Sequence, residues 1–118
     1  MCQSSGAWAE QHALTFLENN GLKLLNRNYQ RKSGEIDLIM LDSSTVTFVE
    51  VKYRANTFFS DTVESINWKK CERIINTSLQ YLQENETYKS CDCRFDVVLI
   101  TGDRFKPSIE WIKNAFQA

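Results

Sequence analysis

The stretch 34–54 reads GEIDLIMLDSSTVTFVEVKYR, and its charges sit where strands ordinarily keep none. Glu35, Asp37, Asp42 and Glu50 are threaded, with Lys52, through two runs of strand-forming residues. Side chains alternate across a strand. Glu35 and Asp37 therefore share one face of EIDLIM, with Ile36, Leu38 and Met40 on the other. In FVEVKYR, Glu50, Lys52 and Arg54 share a face, with Val49, Val51 and Tyr53 opposite. If the two strands are neighbours, Asp37, Glu50 and Lys52 converge, with Glu35 one step away. Adjacent carboxylates repel unless a proton or a cation lies between them. Hard oxygens in that arrangement suit a divalent ion such as Mg²⁺. A lysine on the same face can orient a water or stabilise charge developing on a phosphate. The ion can activate that water and polarise the phosphoryl oxygen. These parts match phosphodiester hydrolysis and need neither histidine nor cysteine. The same spacing also fits a solvated sheet face, or a cross-strand ion pair worth about 0.2–1 kcal/mol. A lone E-x-K is common, and the aspartate across the hairpin sharpens the pattern.

The elements that would position these groups follow from periodicity. Ser4 and Ser5 can cap a first helix, in which Trp8, Ala9, Ala13, Phe16 and Leu17 recur at helical spacing. Gly21 is its stop signal. LKLLNRNYQRK reads as extended, EIDLIML as a short strand, Asp42-Ser43-Ser44 as a turn, and TVTFVEVKYR as the clearest strand. Three strands joined by short turns suggest a meander that is at least partly antiparallel. Residues 61–84 return to helical spacing, with Val63, Ile66, Ile74, Ile75, Leu79 and Leu82 as the apolar stripe and Asp61 or Thr62 as a cap. CRFDVVLIT, 93–101, reads as a strand buried on both faces. SIEWIKNAF closes the chain as a strand, or as a strand running into a helical turn. The expected fold is α/β, one domain over residues 1–118, a central mixed sheet with helices on each side in the order αβββαβ plus a short C-terminal element.

Composition narrows the class. The chain has 118 residues, 42% hydrophobic and 25% charged, which suffices for a core without staples. No apolar run is long enough to span a membrane, and the N-terminus lacks a secretory pattern, so the expected compartment is the reducing cytoplasm. Cys2, Cys71, Cys91 and Cys93 lack zinc-site spacing and read as free thiols. A histidine-dependent hydrolase would rest on His12, the only histidine. Net charge is −1, so no global basic field marks a nucleic-acid binder. The distribution says more. Lys23, Arg27, Arg31 and Lys32 precede the acidic stretch, Lys52 and Arg54 follow it, and Lys69, Lys70 and Arg73 come later. Solvated faces would explain each singly. An acidic cluster flanked by basic ones also suits a metal site beside a polyanion groove.

G-E-I-D-L-I followed by F-V-E-V-K-x-R resembles the YraN-like family of small bacterial proteins. Ala13-x-x-Phe16, the ending at Gly21, Asn26-Arg27-Asn28-Tyr29, Arg94-Phe95-Asp96-Val97-Val98 and Asn114-Ala115-Phe116 extend the likeness over nearly the whole chain. The resemblance implies a restriction-endonuclease-like fold of the PD-(D/E)xK type, similar in element order to archaeal Holliday-junction resolvases. It implies Asp37 and Glu50 as metal ligands, Lys52 as the catalytic lysine, and Glu10 on the first helix as an auxiliary ligand. Residue 36 is Ile, so the proline of the best-known nuclease signature is absent. The loop glycine of the family is replaced near Phe58-Phe59, where Ser60 follows.

The leading expectation is therefore a Mg²⁺- or Mn²⁺-dependent nuclease-like enzyme acting on DNA, with branched or junction DNA as one candidate substrate. Glu35 is either a supporting acid or an edge charge. Arg54, Lys69, Lys70 and Arg73 either contact phosphates or are solvated. Asp96 reads as structural, paired with Arg94 or capping a neighbour. Trp8, Trp68 and Trp111 read as packing residues, and Phe58 and Phe59 as buried loop residues. A homodimer would let two sites address two strands. The rival expectations are a non-enzymatic nucleic-acid-binding module of the same fold, and a scaffold that binds neither DNA nor metal.

Overall fold

The structure, a computed structural model, describes residues 5–54 and 68–118. Cys2, Ser4, the side chain of Ser5, Phe58 to Thr62, Val63 and Ile66 lie outside it, and so do the expectations that fall on them.

α1 (Ser5–Asn19) is built on the expected stripe, with Ala9, Ala13, Leu14 and Leu17 buried. It ends on paired carbonyls. The Leu22 amide donates to Leu17 and the Gly21 amide to Glu18, at 3.1 and 3.0 Å. Gly21 takes φ +92°, the left-handed step this helix stop needs.

Three strands follow: β1 (Lys23–Arg31), β2 (Gly34–Asp42) and β3 (Thr45–Arg54). Asp42 pairs with Thr45 around a two-residue turn in which Ser43 has φ +57°. α2 (Trp68–Glu84) then crosses back, and after a 3-10 turn at Glu86–Tyr88 come β4 (Asp92–Thr101) and β5 (Ser108–Phe116). The sheet order is β1-β2-β3-β4-β5, antiparallel except for the parallel β3–β4 pair. A parallel pair needs a long crossover, and α2 lies within that connection.

The two helices take opposite faces. On one, Ala9, Ala13, Leu14 and Leu17 of α1 pack with Leu38, Met40, Val49, Val98 and Ile100. On the other, Ile74 and Tyr81 of α2 pack with Tyr29, Ile36, Ile39, Val46, Phe48 and Phe95. β4 has both faces covered, which is why its sequence is nearly continuous in apolar residues. β5 is a strand to Phe116, with no helical turn.

Two packing expectations are corrected. Leu79 is 53% exposed, because the buried line of α2 runs through Cys71, Ile74, Thr77, Ser78 and Tyr81 instead. Trp68 opens α2 at 76% exposure rather than packing. Trp8 and Trp111 do pack, half-buried against the α1 cluster.

The buried polar node is Asp96, with no exposed surface. Its Oδ1 accepts from Arg94 Nε and from the Asn114 amide, and its Oδ2 from a terminal nitrogen of Arg94 and from Trp111 Nε1, all at 2.9–3.0 Å. Arg94 also reaches Asp42 at 2.9 Å. Both carboxylate oxygens are thereby fully engaged, which makes Asp96 the clasp between β4 and β5 and bears out its structural reading. Asp42 likewise belongs to this clasp.

Candidate active site

The site exists because β2 leaves β3. Their ladder runs from Asp42↔Thr45 to Leu38↔Val49, while the β1–β2 ladder continues to Arg31↔Gly34. The alternation of the outer ribbon breaks on the way. Leu38, opposite Arg27, packs on the α1 side, yet Ile36, opposite Tyr29, packs on the α2 side. Between those two pairs sit Asn28, at φ +54°, and Asp37. Asparagine tolerates the left-handed region, and the step reverses the ribbon's facing. Ile36, Leu38 and Met40 therefore do not share one face, contrary to the simple alternation.

The freed hairpin end swings across α2. Ser33 Oγ and Thr77 Oγ1 are 2.8 Å apart, Tyr29 OH donates to Glu84 at 2.6 Å, and Arg31 forks onto the same carboxylate. Gly34, at φ +153°, is tightly placed: a Cβ there would lie 3.2 Å from Thr77 Oγ1 and 3.3 Å from Arg73 Cβ. Between the hairpin, β3 and α2 opens a cleft of about 250 Å³ lined by Gly34, Glu35, Asp37, Glu50, Lys70, Arg73 and Ile74.

Asp37 stands at the fork. Its Oδ2 accepts the Val51 amide at 2.8 Å, taking the place of the ladder partner that β2 no longer supplies. Its pKa is pushed up to about 8, by burial first and then by Glu50, with Glu10 and Glu35 adding and the Val51 amide opposing. Glu50 projects from β3 toward α2, where Lys70 Nζ lies 2.8 Å from its Oε1. Lys52 follows on the same face of β3. Burial lowers its pKa, the Lys70 charge lowers it further, and Glu50 opposes. Glu10 reaches the acids from α1. Burial raises its pKa, as do Glu35 and Glu50, against a hydrogen bond from Asn28 and the charge of Arg27.

Glu10, Glu35, Asp37 and Glu50 thus share one electrostatic neighbourhood, with Lys52 and Lys70 beside Glu50. Arg73 lines the cleft as well. Lys69 is exposed on α2 and Arg54 exposed at the end of β3, both outside the cleft lining. Lys70 is engaged by Glu50 rather than solvated. Asn28 and Gly34 were not singled out as site residues. Their signals were an asparagine inside a strand and a glycine directly before the charged strand.

The donor set is hard oxygen, and burial, reinforced by Glu50, leaves Asp37 in need of a proton or a cation. Among the described residues, no three His, Cys, Asp or Glu side chains form a group close enough to hold an ion alone. Mg²⁺ does not need one, since it keeps several waters and takes one or two carboxylates together with substrate phosphates. Asp37 and Glu50 fit that role. Cysteine chemistry does not fit. Cys71, Cys91 and Cys93 are free, and burial raises the Cys71 and Cys93 thiols. His12 stacks on Trp8 at 5.2 Å.

A mixed five-stranded sheet between two helices, split at an acidic fork that is followed by a lysine, is the restriction-endonuclease-like α/β fold. The chain belongs to the uncharacterised protein family UPF0102, the YraN-like family, which it matches over residues 9–100. It is 44% identical over 116 residues to a UPF0102 protein of Stutzerimonas stutzeri, covering 98% of this chain and 97% of that one. It is 42% identical to one from Pseudomonas putida, covering 97% and 94%, and 39% identical to one from Pseudomonas syringae pv. syringae, covering 98% and 95%.

Proposed function

We propose that this chain is a metal-assisted phosphodiesterase that cleaves DNA in the cleft between β2 and β3. The observation that carries the reading is Asp37, half-buried beside Glu50 with its pKa pushed up to about 8, and Lys52 next to Glu50 on the same face of β3. A protein gains nothing in stability from crowding carboxylates in this way, whereas a site that neutralises them with a cation and a substrate phosphate does.

In this reading Asp37 and Glu50 would hold a Mg²⁺ or Mn²⁺ ion, with Glu10 as an auxiliary ligand. The ion would supply Lewis acidity at the phosphoryl oxygen and an activated water. Val51 fixes the Asp37 carboxylate through its amide. Lys52 orients the attacking water and meets the charge that grows on the phosphate. Glu35 supports the acids from the cleft wall. Lys70, paired with Glu50 in this structure, would with Arg73 meet the phosphate backbone were Glu50 to hold an ion. Arg54 and Lys69 extend that contact beyond the cleft. The setting is the cytoplasm, and a homodimer would bring two clefts to two strands.

The test is cleavage of linear, nicked and branched DNA with Mg²⁺ or Mn²⁺, alongside calorimetric titration of the metal. Wild type is expected to cut and to bind the ion, and Glu50→Ala to lose both while melting as a folded protein. Undiminished cleavage by Glu50→Ala would sink the mechanism. A second reading has its own support: the Lys70–Glu50 ion pair satisfies the site internally, as a binding module without turnover would. It predicts salt-sensitive DNA binding and no cleavage with either metal.

A further inference from the structure

The turn between β4 and β5 carries an aromatic ring that packs against neither core cluster of the described residues. Phe105 is 98% exposed, the highest value among the large hydrophobic residues described. A single exposed ring is ordinary. What sets this one apart is how firmly it is presented and where. The turn is tied to β3 where it leaves β4: the Gly102 amide donates to Arg54 O at 3.1 Å, and Tyr53 OH donates to Gly102 O at 3.0 Å. Asp103 Oδ1 accepts the amides of Phe105 and Lys106, both at 2.9 Å, so the acid of the turn is occupied in shaping it. Arg104 sits with its guanidinium 5.4 Å from the centre of the Trp8 ring, which in turn meets Tyr53 edge-on. Phe105 is thus a ring on a braced mount between two cations, Arg104 and Lys106.

The location is the working end of the sheet. β3 and β4 are parallel, so the turn after Thr101 lies at the end of β3 toward which Glu50, Lys52 and Arg54 advance. The start of α2 lies over the middle of β3, where Lys70 touches Glu50. It brings with it the exposed Trp68 and Lys69. The cleft sets Glu35, Asp37 and Glu50 against only Lys70 and Arg73, so a strand needs further holding points on its rim. The rim offers cations and a ring, the two features that single-stranded nucleic acids bind: charge for the backbone and a flat face for the bases.

We propose that Phe105 stacks on an unpaired nucleobase, with Arg104 and Lys106 on the adjoining phosphates, so that the β4–β5 turn directs the cleft to DNA with a single-stranded segment. This rests on the nucleic-acid reading of the cleft, and the test separates the two. Binding of full-length protein in EDTA, so that no cleavage intervenes, is measured by fluorescence anisotropy on a blunt duplex, a forked duplex and a single strand. Parallel forks carry 2-aminopurine at the branch. For Phe105→Ala, affinity for the fork and the single strand is expected to fall about tenfold with the blunt duplex unchanged, and 2-aminopurine quenching to be lost. Phe105→Trp is expected to restore both. Arg104→Ala with Lys106→Ala is expected to weaken all three DNAs and flatten their salt dependence. If wild type binds DNA and Phe105→Ala binds every form equally well, or loses them all alike, the stacking proposal is overturned and the cleft reading stands. If wild type binds none of the DNAs at low salt, the nucleic-acid reading falls and takes the turn with it, leaving a protein partner as the occupant of Phe105.

Discussion

Asp37 makes the stability of the metal-free protein depend on pH in a direction opposite to that of a salt-bridged aspartate. Its pKa rises from 3.8 to about 8 on folding. A group whose folded pKa is raised contributes stability that is complete below the unfolded value and lost as pH climbs through the folded one. The metal-free protein should therefore lose melting temperature between about pH 4 and pH 8. Asp37→Asn keeps an acceptor for the Val51 amide and cannot ionise. It should melt higher than wild type at pH 8, by several degrees, since about 1 kcal/mol moves a domain of this size by about 4 °C. Saturating Mg²⁺ or Mn²⁺ should narrow that gap by lifting wild type alone. Thermal melts with and without EDTA would read it, and a wild type that gains stability toward pH 8 would contradict it. Asp96 behaves differently, because its four hydrogen bonds leave nothing for a ligand. Asp96→Ala strands Arg94 and the Trp111 indole and should cost about 3–5 kcal/mol in denaturant titrations. A variant within about 1 kcal/mol of wild type would show that the clasp between β4 and β5 is expendable.

At the scale of elements, the β1–β2 hairpin decides whether the cleft exists. Gly34 is where it touches α2. Gly34→Ala forces a Cβ against Thr77 and Arg73 in a conformation that itself costs about 1–3 kcal/mol. It should destabilise the protein by at least that much and weaken metal binding, although no ligand is replaced. Calorimetry would show both effects, and unchanged values would mean the hairpin yields. Much of this was legible in the chain. The hairpin, the buried β4 and the two helices follow from periodicity, and the E-x-K alternation placed Glu50 and Lys52 on one side of β3 correctly. Asp37 was assigned to the right neighbourhood for an incomplete reason. Period-two alternation assumes a flat ribbon, and Asn28 interrupts it, so that Ile36 and Leu38 pack against different helices. Nor could spacing reveal that Lys70, placed among the phosphate contacts, already holds Glu50, or that Leu79 and Trp68 point outward. Those depend on how α2 is rotated over the sheet, which no local pattern fixes.

Across the whole molecule, charge is arranged rather than accumulated. With a net charge of −1, attraction for DNA must come from a few cations on the rim of the acidic cleft. Arg54, Lys69, Lys70 and Arg73 are the candidates around the cleft, with the β4–β5 turn beyond them. Each phosphate neutralised contributes about −0.9 to the log–log salt slope on duplex DNA. With Arg104 and Lys106 of the turn counted, a blunt duplex should therefore give a slope no steeper than about −5.4, measured between low and moderate salt. A slope near −10 would mean a far wider basic surface than these residues provide.

The parallel β3–β4 pair has a consequence for how the chain assembles. α1 and the three strands of the meander are joined by short turns, so their mutual contacts close small loops. β4 can register on β3 only after the intervening segment, α2 included, has been gathered in, because Thr45 must find Asp92 and Arg54 must find Thr101. Loop-closure entropy puts that step late. Truncations in the β2–β3 core, such as Ile39→Val, should mainly slow refolding, whereas Ile112→Val in β5 should mainly hasten unfolding. The fork that holds Asp37 would then form before the strand that completes the core beside it. A nascent chain would carry its acidic fork before the clasp around Asp96 locks the sheet.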